Sequence, residues 1–278
     1  MPAPDAISAD QLAKLIGTPR CPTILDNRRD VLRAEDGRLL PAARALTEAD
    51  MASEALDAII ATMDGPVVTV CAEGHGRSQG LAALLRSRGI AAEFLEGGFA
   101  AWRGASLPLM DPSAITARDT SGRSVWVTRA RPKIDRIACP WLIRRFVDPR
   151  AVFLFVAPAE VTNVAQTYGA MPFDIENAFF SHRGDLCSFD VMLQEFGLNI
   201  PALDRLATIV RGADTARPDL APEAPGLLAA SLGLSRMYPD DLDQLDAAMI
   251  LYDALYRWCR DATGETHNWP GTKPGAAA

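Results

Sequence analysis

The 278-residue sequence lacks the features of membrane proteins and of disulfide-stabilised secreted proteins. It has no run of about 18 apolar residues, which a membrane-spanning helix requires. Its first residues show no basic stretch followed by an apolar one, so we expect no signal peptide. Its five cysteines are dispersed and form no Cys-x-x-Cys pair, a usage that suits a reducing compartment. These absences predict a cytoplasmic protein without a membrane partner.

The sequence also lacks an excess of positive charge. Its formal net charge of −7 gives no general reason to expect binding to nucleic acid or to a membrane surface. Apolar residues make up 49% of the chain and charged residues 23%, as in ordinary globular proteins. A chain of 278 residues is long enough for two domains.

Strands and helices alternate in the first part of the chain. The sequence Ser8-Ala-Asp-Gln11 has the form of a capping box before a helix. Strands are predicted at residues 23–25, 67–70 and 91–95, and helices at 52–63 and 80–87. This alternation predicts an α/β fold with a parallel sheet that is covered on both faces.

The most informative stretch follows the apolar segment 67–70, which ends on Cys71. A loop separates Cys71 from Arg77, and its residues are Ala72, Glu73, Gly74, His75 and Gly76. Backbone N–H groups of such a loop converge on one point, and the dipole of the following helix adds positive potential there. We therefore interpret Cys71 as a nucleophile with a lowered pKa and Arg77 as part of an oxyanion site. The alternative is that Cys71 is a small buried hydrophobic residue.

Two further segments connect this loop to a known family. Asp26 and Arg28 follow the strand at 23–25, and residues 95–102 read Leu-Glu-Gly-Gly-Phe-Ala-Ala-Trp. Together with the Cys71 loop they resemble a rhodanese domain over about residues 5–107. The resemblance implies that Cys71 carries sulfane sulfur as a persulfide. Asp26 or Arg28 would then support the loop.

Two departures from the rhodanese pattern leave the substrate open. Small rhodaneses usually have Cys-x4-Arg, whereas the spacing here is Cys71-x5-Arg77, which resembles the cradle of rhodanese-fold phosphatases and arsenate reductases. Residues 39–43 read Leu-Leu-Pro-Ala-Ala where the family often has His-Ile-Pro-Gly-Ala. The substrate is therefore either a sulfane-sulfur compound or a small oxyanion. His75 is either a general acid or base beside Cys71 or an exposed loop residue.

Composition divides the chain into a domain at 1–107, a linker at 108–122, a second domain at 123–263 and a flexible tail at 264–278. Strands are predicted at 124–128 and 151–157, and a helix at 134–146 should kink or restart at Pro140. Four helices are predicted from residue 190 onward, at 191–196, 202–212, 223–234 and 241–259. The second domain is thus expected to be mostly α-helical, of the α+β class.

Charge is unevenly distributed in the second domain. Residues 123–150 hold eight basic and two acidic groups, whereas residues 151–278 hold eight basic and seventeen acidic groups. One interpretation is a solvated face whose charges pair with the acidic remainder. The other is an anion-binding patch made of Arg131, Lys133, Arg136, Arg144 and Arg145. Aromatic residues are sparse there, so DNA is a less favoured third partner.

The segment 173–190 combines one histidine, one cysteine and four carboxylates. We predict that Glu176, His182 and Asp214 converge on a divalent metal, zinc or a similar ion, because imidazole and carboxylates form a suitable ligand set. The alternative is a polar loop without metal, in which a His–Asp hydrogen bond uses the same residues. No other cofactor is expected.

Four motifs connect the second domain to another family. They lie at 131–146, 181–190, 211–214 and 252–259. They resemble the chromate-resistance (ChrB-type) C-terminal domain over about residues 124–262. The resemblance implies a cytoplasmic role in chromate sensing or detoxification. The two domains together predict a thiolate sulfurtransferase or an oxyanion-handling enzyme such as a reductase that acts in chromate stress. The alternative is a non-catalytic, chromate-responsive sensor or regulator.

Overall fold

The first part of the chain is an α/β unit built on a five-stranded sheet of order β1-β5-β4-β2-β3. The structure is a computed structural model, and it describes residues 5–265. The strands are β1 (Ala6–Ile7), β2 (Thr23–Asp26), β3 (Ala43–Ala45), β4 (Val67–Val70) and β5 (Ala92–Leu95). The helices are α1 (Ala9–Leu15), α2 (Asp30–Glu35), α3 (Ser53–Ile60), α4 (Gly76–Ser87) and α5 (Gly98–Gly104). Every pair of neighbouring strands is parallel, which confirms the predicted α/β class.

The register of this sheet decides where its polar residues meet. Asp26, the last residue of β2, lies opposite Val70, the last residue of β4. All four residues of β4 are buried, as expected for a central strand covered on both faces. The loops that follow β2 and β4 therefore emerge side by side at the carboxyl edge of the sheet, where ligand sites of parallel sheets collect.

The sequence predicted most of these elements. The capping box at the start of α1 is present, with the Ser8 and Gln11 side chains each binding the other residue's backbone N–H. Four short elements, β1, β3, α2 and α5, were not predicted, because two to seven residues carry too little periodicity. The helix α4 begins at Gly76 and not at the predicted residue 80. Glycine is a poor helix former, so Gly76 and Gly80 hide the first turn from a sequence pattern.

The second part of the chain has a three-stranded parallel sheet of order β7-β6-β8. Its strands are β6 (Val125–Arg129), β7 (Val152–Val156) and β8 (Met171–Pro172). Its helices are α6 (Asp135–Leu142), α7 (Val161–Tyr168), α8 (Ser188–Glu195), α9 (Pro201–Asp214), α10 (Ala224–Met237) and α11 (Asp241–Arg257). Helices α6 and α11 each continue into a π-helical turn, at Ile143–Val147 and Trp258–Ala262. The predicted mostly helical character is confirmed, although α7 and β8 were not predicted.

Pro140 lies inside α6 without breaking it. Proline has no N–H to donate, so one intrahelical hydrogen bond is lost at this residue. The helix runs on to Leu142 and then widens into the π-helical turn. The irregularity that the sequence predicted at Pro140 therefore lies about one turn later.

Within residues 5–265, no helix is long and apolar enough to cross a membrane.

One hydrophobic core joins the two parts. It contains Trp102 from the first part together with Trp141 and Phe146 from the second. The segment predicted as a linker contacts both parts: Met110 exchanges backbone hydrogen bonds with Leu39 at 2.8 and 2.9 Å, and Asp111 N–H donates to Phe196 O at 2.9 Å. The predicted tail falls mostly on residues 266–278, which lie outside the described residues.

A buried ion pair links α6 and its π-helical turn to α11. Arg145 donates two hydrogen bonds of 2.8 Å to Asp253, and the Trp141 indole N–H donates to the same carboxylate at 2.9 Å. Only 10% of the Asp253 side chain and 21% of the Arg145 side chain are exposed. The carboxylate therefore satisfies two donors that would otherwise be buried without a partner.

We expect Asp253→Ala to lower the free energy of unfolding by about 3–5 kcal/mol, because it leaves a buried guanidinium unpaired. Denaturant unfolding measures this loss. The matched control is Asp57→Ala, which removes an exposed pair with Arg88 and should change the free energy by about 0–1 kcal/mol. Equal, small effects of both substitutions would contradict this account of the interface.

Candidate active site and the polar cluster of the second domain

Cys71 lies at the carboxyl end of β4, directly below the amino terminus of α4. It is buried, with 6% of its surface exposed. Its Sγ lies 3.1 Å from the Ser78 Oγ and 3.8 Å from the His75 carbonyl oxygen. The sulfur is thus in contact with the loop and with the first turn of α4.

The environment lowers the pKa of Cys71 below the usual value of a thiol. Burial opposes ionisation, but the hydroxyl of Ser78 and the backbone of the loop favour the thiolate and outweigh the effect of burial. The other cysteines differ. Burial raises the pKa of Cys21 to about 12 and that of Cys259 to about 11, and it raises the pKa values of Cys139 and Cys187 as well. Cys71 is therefore the acidic thiol of the described chain.

Arg77 has a different position from the one expected. Its Nε donates a hydrogen bond of 2.5 Å to the Asn27 carbonyl, and its Nη2 lies 3.1 Å from a carboxylate oxygen of Glu48. The second contact is an ion pair without hydrogen-bond geometry. No hydrogen bond joins Arg77 to Cys71 among the described residues. The guanidinium thus braces the loop after β2 and does not line the cradle in this structure.

The glycines of the Leu-Glu-Gly-Gly motif hold the cradle in place. A Cβ on Gly98 would lie 2.3 Å from the Cys71 carbonyl oxygen, and one on Gly74 would lie 2.7 Å from the Gly97 nitrogen. Both residues also have positive φ angles, 57° and 71°. At the start of α5, the N–H groups of Phe99 and Ala100 donate to the carbonyls of Cys71 and Ala72, each at 2.9 Å. Only glycine permits this close approach of two backbones.

Asp26 and Arg28 form a buried pair beside the cradle. Arg28 donates to both carboxylate oxygens of Asp26, at 2.9 and 3.1 Å from its Nε, and its guanidinium stacks on the Phe99 ring at 3.7 Å. Two further Arg28 donors bind backbone carbonyls of Asp36 and Arg38. The pair fixes the loop after β2 and the first turn of α5. Arg28 thus contacts Phe99, the residue whose backbone N–H donates to the Cys71 carbonyl.

The remaining loop residues face solvent. The side chains of His75 and Glu73 are 76% and 71% exposed and lie 3.4 Å from each other. His75 contributes its backbone to the site: its carbonyl oxygen lies 3.8 Å from the Cys71 Sγ and accepts from Ser78. The geometry thus agrees with an exposed loop residue. Ser78, which we did not single out from the sequence, is the side chain nearest the sulfur; its position directly after Arg77 was the available signal.

A second polar group surrounds His182 in the other part of the chain. The Nε2 of His182 lies 3.2 Å from Asp214, 3.4 Å from Asp174 and 3.5 Å from Asp135. We call these four residues the His182 cluster. The prediction of Glu176 in this site was wrong, because Glu176 is exposed and lies outside the group of potential ligands in the described chain. Asp214 is the last residue of α9 and does not follow the helix as expected.

The acids of the His182 cluster shift one another's pKa values. Hydrogen bonds to Asp174 and Asp214 raise the pKa of His182 to about 10. Burial and the nearby carboxylates of Asp214 and Asp174 raise the pKa of Asp135 well above its usual value. Asp174 is shifted the other way despite its burial: hydrogen bonds from His182 and Ser188, with the charges of Arg136 and Arg129, lower its pKa. The cluster is therefore short of positive charge around Asp135.

The predicted anion patch does not form a free surface. Each arginine of the patch is paired with a carboxylate of the acidic remainder: Arg131 with Asp241, Arg136 with Asp174, Arg144 with Asp246 and Arg145 with Asp253. Arg131 also donates to the backbone carbonyls of Tyr238 and Pro239 after α10. Lys133 is exposed. The uneven charge of the sequence reflects pairing within the domain, the first of the two interpretations.

Comparison with known proteins agrees with both parts of the fold. The profile of the rhodanese-like domain matches residues 8–105, and that of the ChrB C-terminal domain matches residues 126–259. The chain carries a rhodanese-like domain followed by a ChrB C-terminal domain. Both resemblances drawn from the sequence are confirmed. Cys71 and its loop belong to the rhodanese-like domain, and the His182 cluster belongs to the ChrB C-terminal domain.

Individual relatives cover the chain in part. Protein ChrB of Cupriavidus metallidurans is 36% identical over 152 residues, which are 54% of this chain and 44% of that protein. This chain therefore spans less than half the length of that relative. A rhodanese-like domain protein from Staphylococcus aureus is 26% identical over 35% of this chain and 90% of its own, with a TM-score of 0.30. An As-Sb reductase from Leishmania major is 17% identical over 42% of this chain and 89% of its own, with a TM-score of 0.30. Such TM-scores carry no information about activity.

We expect Ser78→Ala to slow the alkylation of Cys71 near neutral pH about 10-fold, because the thiolate loses a charge-assisted hydrogen bond of at least ~1.5 kcal/mol. The rate of iodoacetamide labelling as a function of pH measures this. Ser87→Ala in the same helix is the control, since its hydroxyl donates to the Leu84 carbonyl, away from the site. Cys71 should also react faster than Cys21 and Cys259 in the unaltered chain; equal rates would refute the assignment.

We expect Gly98→Ala to destabilise the cradle by at least about 2 kcal/mol, since it combines left-handed strain with a backbone clash. The free energy of unfolding and the labelling rate of Cys71 should both fall. Gly80→Ala provides the matched control, because nothing lies within 4 Å of its added Cβ. That change should stabilise α4 slightly. Similar stability of the two variants would show that the close approach is not required.

Proposed function

We propose that the rhodanese-like domain is a sulfurtransferase in which Cys71 carries sulfane sulfur as a persulfide. The observation that carries the proposal is the contact of its Sγ with the Ser78 hydroxyl at 3.1 Å; this hydroxyl and the backbone of the loop lower the pKa of the Cys71 thiol. These groups favour a thiolate before transfer. They would favour a terminal persulfide anion after it, because both species place negative charge on sulfur inside the loop.

The reaction has two steps. In the first, the Cys71 thiolate attacks the outer sulfur of a donor such as thiosulfate; a bond from Sγ to that sulfur forms, the donor's S–S bond breaks, and sulfite leaves with the electron pair. In the second, a nucleophilic acceptor such as cyanide attacks the outer sulfur, and the Cys71 thiolate leaves with the electron pair. No proton transfer is needed in either step, so the exposure of His75 presents no obstacle.

The position of Arg77 favours sulfane sulfur over a whole tetrahedral oxyanion. Binding such an anion in a Cys-x5-Arg loop requires a guanidinium directed at its oxygens. Here the Arg77 Nε is engaged by the Asn27 carbonyl, and Glu48 pairs with the guanidinium. An oxyanion would have to compete with both partners, whereas a single sulfur atom needs no donors beyond the loop. The longer loop therefore still fits persulfide chemistry.

The cellular setting belongs to the same proposal. The ChrB C-terminal domain and the ChrB relative support a role in chromate stress, and the dispersed cysteines support a cytoplasmic location. Chromate oxidises sulfur-containing groups, and rebuilding those groups would require a supply of sulfur. The sulfurtransferase would then supply sulfur to such a response, with the second domain linking this activity to chromate.

We expect Cys71→Ser to reduce thiosulfate:cyanide sulfurtransferase activity by at least about 10³-fold, because a serine hydroxyl has no sulfur with which to form a persulfide. Thiocyanate production measures turnover, and mass spectrometry of the thiosulfate-treated chain measures a gain of one sulfur atom. Cys21→Ser is the control; its thiol has a raised pKa and lies outside the loop.

Full activity in Cys71→Ser would refute the proposal. A chain that forms no persulfide and shows no turnover with thiosulfate or mercaptopyruvate would also refute it. In that case, binding of chromate without turnover would favour the sensor alternative. A structure in which Arg77 leaves Asn27 and Glu48 and binds an oxyanion in the loop would favour an oxyanion-handling enzyme.

A further inference from the structure

The His182 cluster is not used by the proposed sulfurtransfer. It lies in the ChrB C-terminal domain and joins residues from four places in the sequence: the first residue of α6, the turn after β8, the loop before α8 and the last residue of α9. Ligand atoms of Asp135, His182 and Asp214 lie within 4.8 Å of one another. Residues 79 positions apart thus meet at one point through the tertiary fold.

The hydrogen bonds of this cluster do not account for its geometry. A single nitrogen, His182 Nε2, faces three carboxylates at 3.2, 3.4 and 3.5 Å. An imidazole nitrogen has one N–H at most, so the Nε2 hydrogen can be shared between Asp174 and Asp214 but cannot satisfy three carboxylates. Asp135, the farthest of the three, then lies close to the nitrogen without receiving that hydrogen.

Asp135 provides an independent observation. It is completely buried, and its Oδ1 has no hydrogen-bond partner among the described residues. Its Oδ2 accepts the Ser188 N–H at 2.5 Å. A buried carboxylate oxygen without a partner is costly unless another group binds it. The unused oxygen belongs to the same carboxylate that faces His182.

Charge balance points to a divalent cation. Asp174 is neutralised by its own partners, since Arg129 and Arg136 lie 3.2 and 3.3 Å from its Oδ2. Among the described residues, the ion pairs of Asp135 and Asp214 involve His182 alone. A divalent ion bound to His182 Nε2 would displace the proton from that nitrogen, and its two positive charges would then balance the two carboxylates.

We propose that Asp135, His182 and Asp214 bind one divalent transition-metal ion, with zinc as the best match. Ligand atoms ~2.0–2.1 Å from a tetrahedral ion lie about 3.3–3.4 Å apart, which is the spacing of His182 Nε2 from the carboxylates. One imidazole and two carboxylates make an N/O ligand set that suits zinc and related ions. Exposure of 40% of the His182 side chain and 20% of the Asp214 side chain leaves a route from solvent and room for water as a fourth ligand.

Neighbouring groups hold the three ligands in position. The Ser188 N–H binds Asp135, and the Asp135 N–H lies 3.4 Å from Asp214 Oδ1. Asp174 receives the Ser188 hydroxyl at 2.9 Å as well as its two arginines. Such outer contacts orient metal ligands and are part of a working site. Asp174 therefore acts as a positioning residue beside the ion.

The test measures metal binding by the full chain. Protein treated with EDTA and dialysed is titrated with Zn²⁺ and, separately, with Mn²⁺ by calorimetry, and bound metal is determined by elemental analysis. We expect one equivalent of Zn²⁺ and a rise in the melting temperature on binding. The Cys71→Ser chain should bind the same equivalent, which excludes the reactive thiol as the ligand.

Two ligand variants and one control decide the site. His182→Ala and Asp214→Asn should weaken Zn²⁺ binding at least about 100-fold and abolish the zinc-induced rise in melting temperature. Both positions are partly exposed, so the variants are expected to fold, which their circular dichroism spectra verify. Glu176→Gln is the matched control: it removes a carboxylate of the same segment outside the cluster and should bind as the unaltered chain does.

Equal, sub-stoichiometric zinc in the unaltered chain and in His182→Ala would overturn the proposal. So would stoichiometric zinc that survives both ligand substitutions, because the ion would then lie elsewhere. Anomalous diffraction at the zinc edge with density between His182 and Asp214 would support it. These outcomes are independent of thiocyanate production, so failure of the metal site leaves the proposed sulfurtransferase untouched.

Discussion

The candidate active site depends on one close approach between two stretches of backbone. The turn after β5 presses Gly98 against the carbonyl of Cys71, and the N–H groups of Phe99 and Ala100 take up the carbonyls on that side of the loop. These hydrogen bonds fix the backbone of the loop beside the sulfur. The buried Asp26–Arg28 pair supports the same region from β2. The lowered pKa of Cys71 thus depends on the Ser78 hydroxyl and on the backbone of the loop that this packing holds in place.

The ChrB C-terminal domain is organised by charge in a different way. Its basic segment pairs residue by residue with acids that follow much later in the chain, and buried pairs such as Arg145–Asp253 join α11 to the segment around α6. In the His182 cluster this pairing is incomplete, because the carboxylates of Asp135 and Asp214 have no arginine or lysine partner among the described residues. The metal ion that we propose would bind where this pairing is incomplete.

Local sequence predicted the elements that carry long, regular patterns. The strand before Cys71, the capping box of α1 and the helices α9 to α11 follow from apolar periodicity and from caps. It did not predict α7 or the short strands, whose existence depends on neighbours that they pair with or pack against. From the sequence, Glu176 was assigned to the predicted metal site because it is close to His182 along the chain. In space, Asp135 and Asp174 lie there and Glu176 does not.

The sequence by itself determined that Cys71 would follow a buried strand and precede a helix, since glycine spacing and hydrophobic periodicity act over a few residues. That local pattern was sufficient to identify a loop that favours a thiolate. The tertiary structure alone decided where the long side chains point. Arg77 turns to Asn27 and Glu48, and the patch arginines turn to distant acids, because a flexible charged side chain takes the nearest partner that the fold provides. No local pattern encodes that choice.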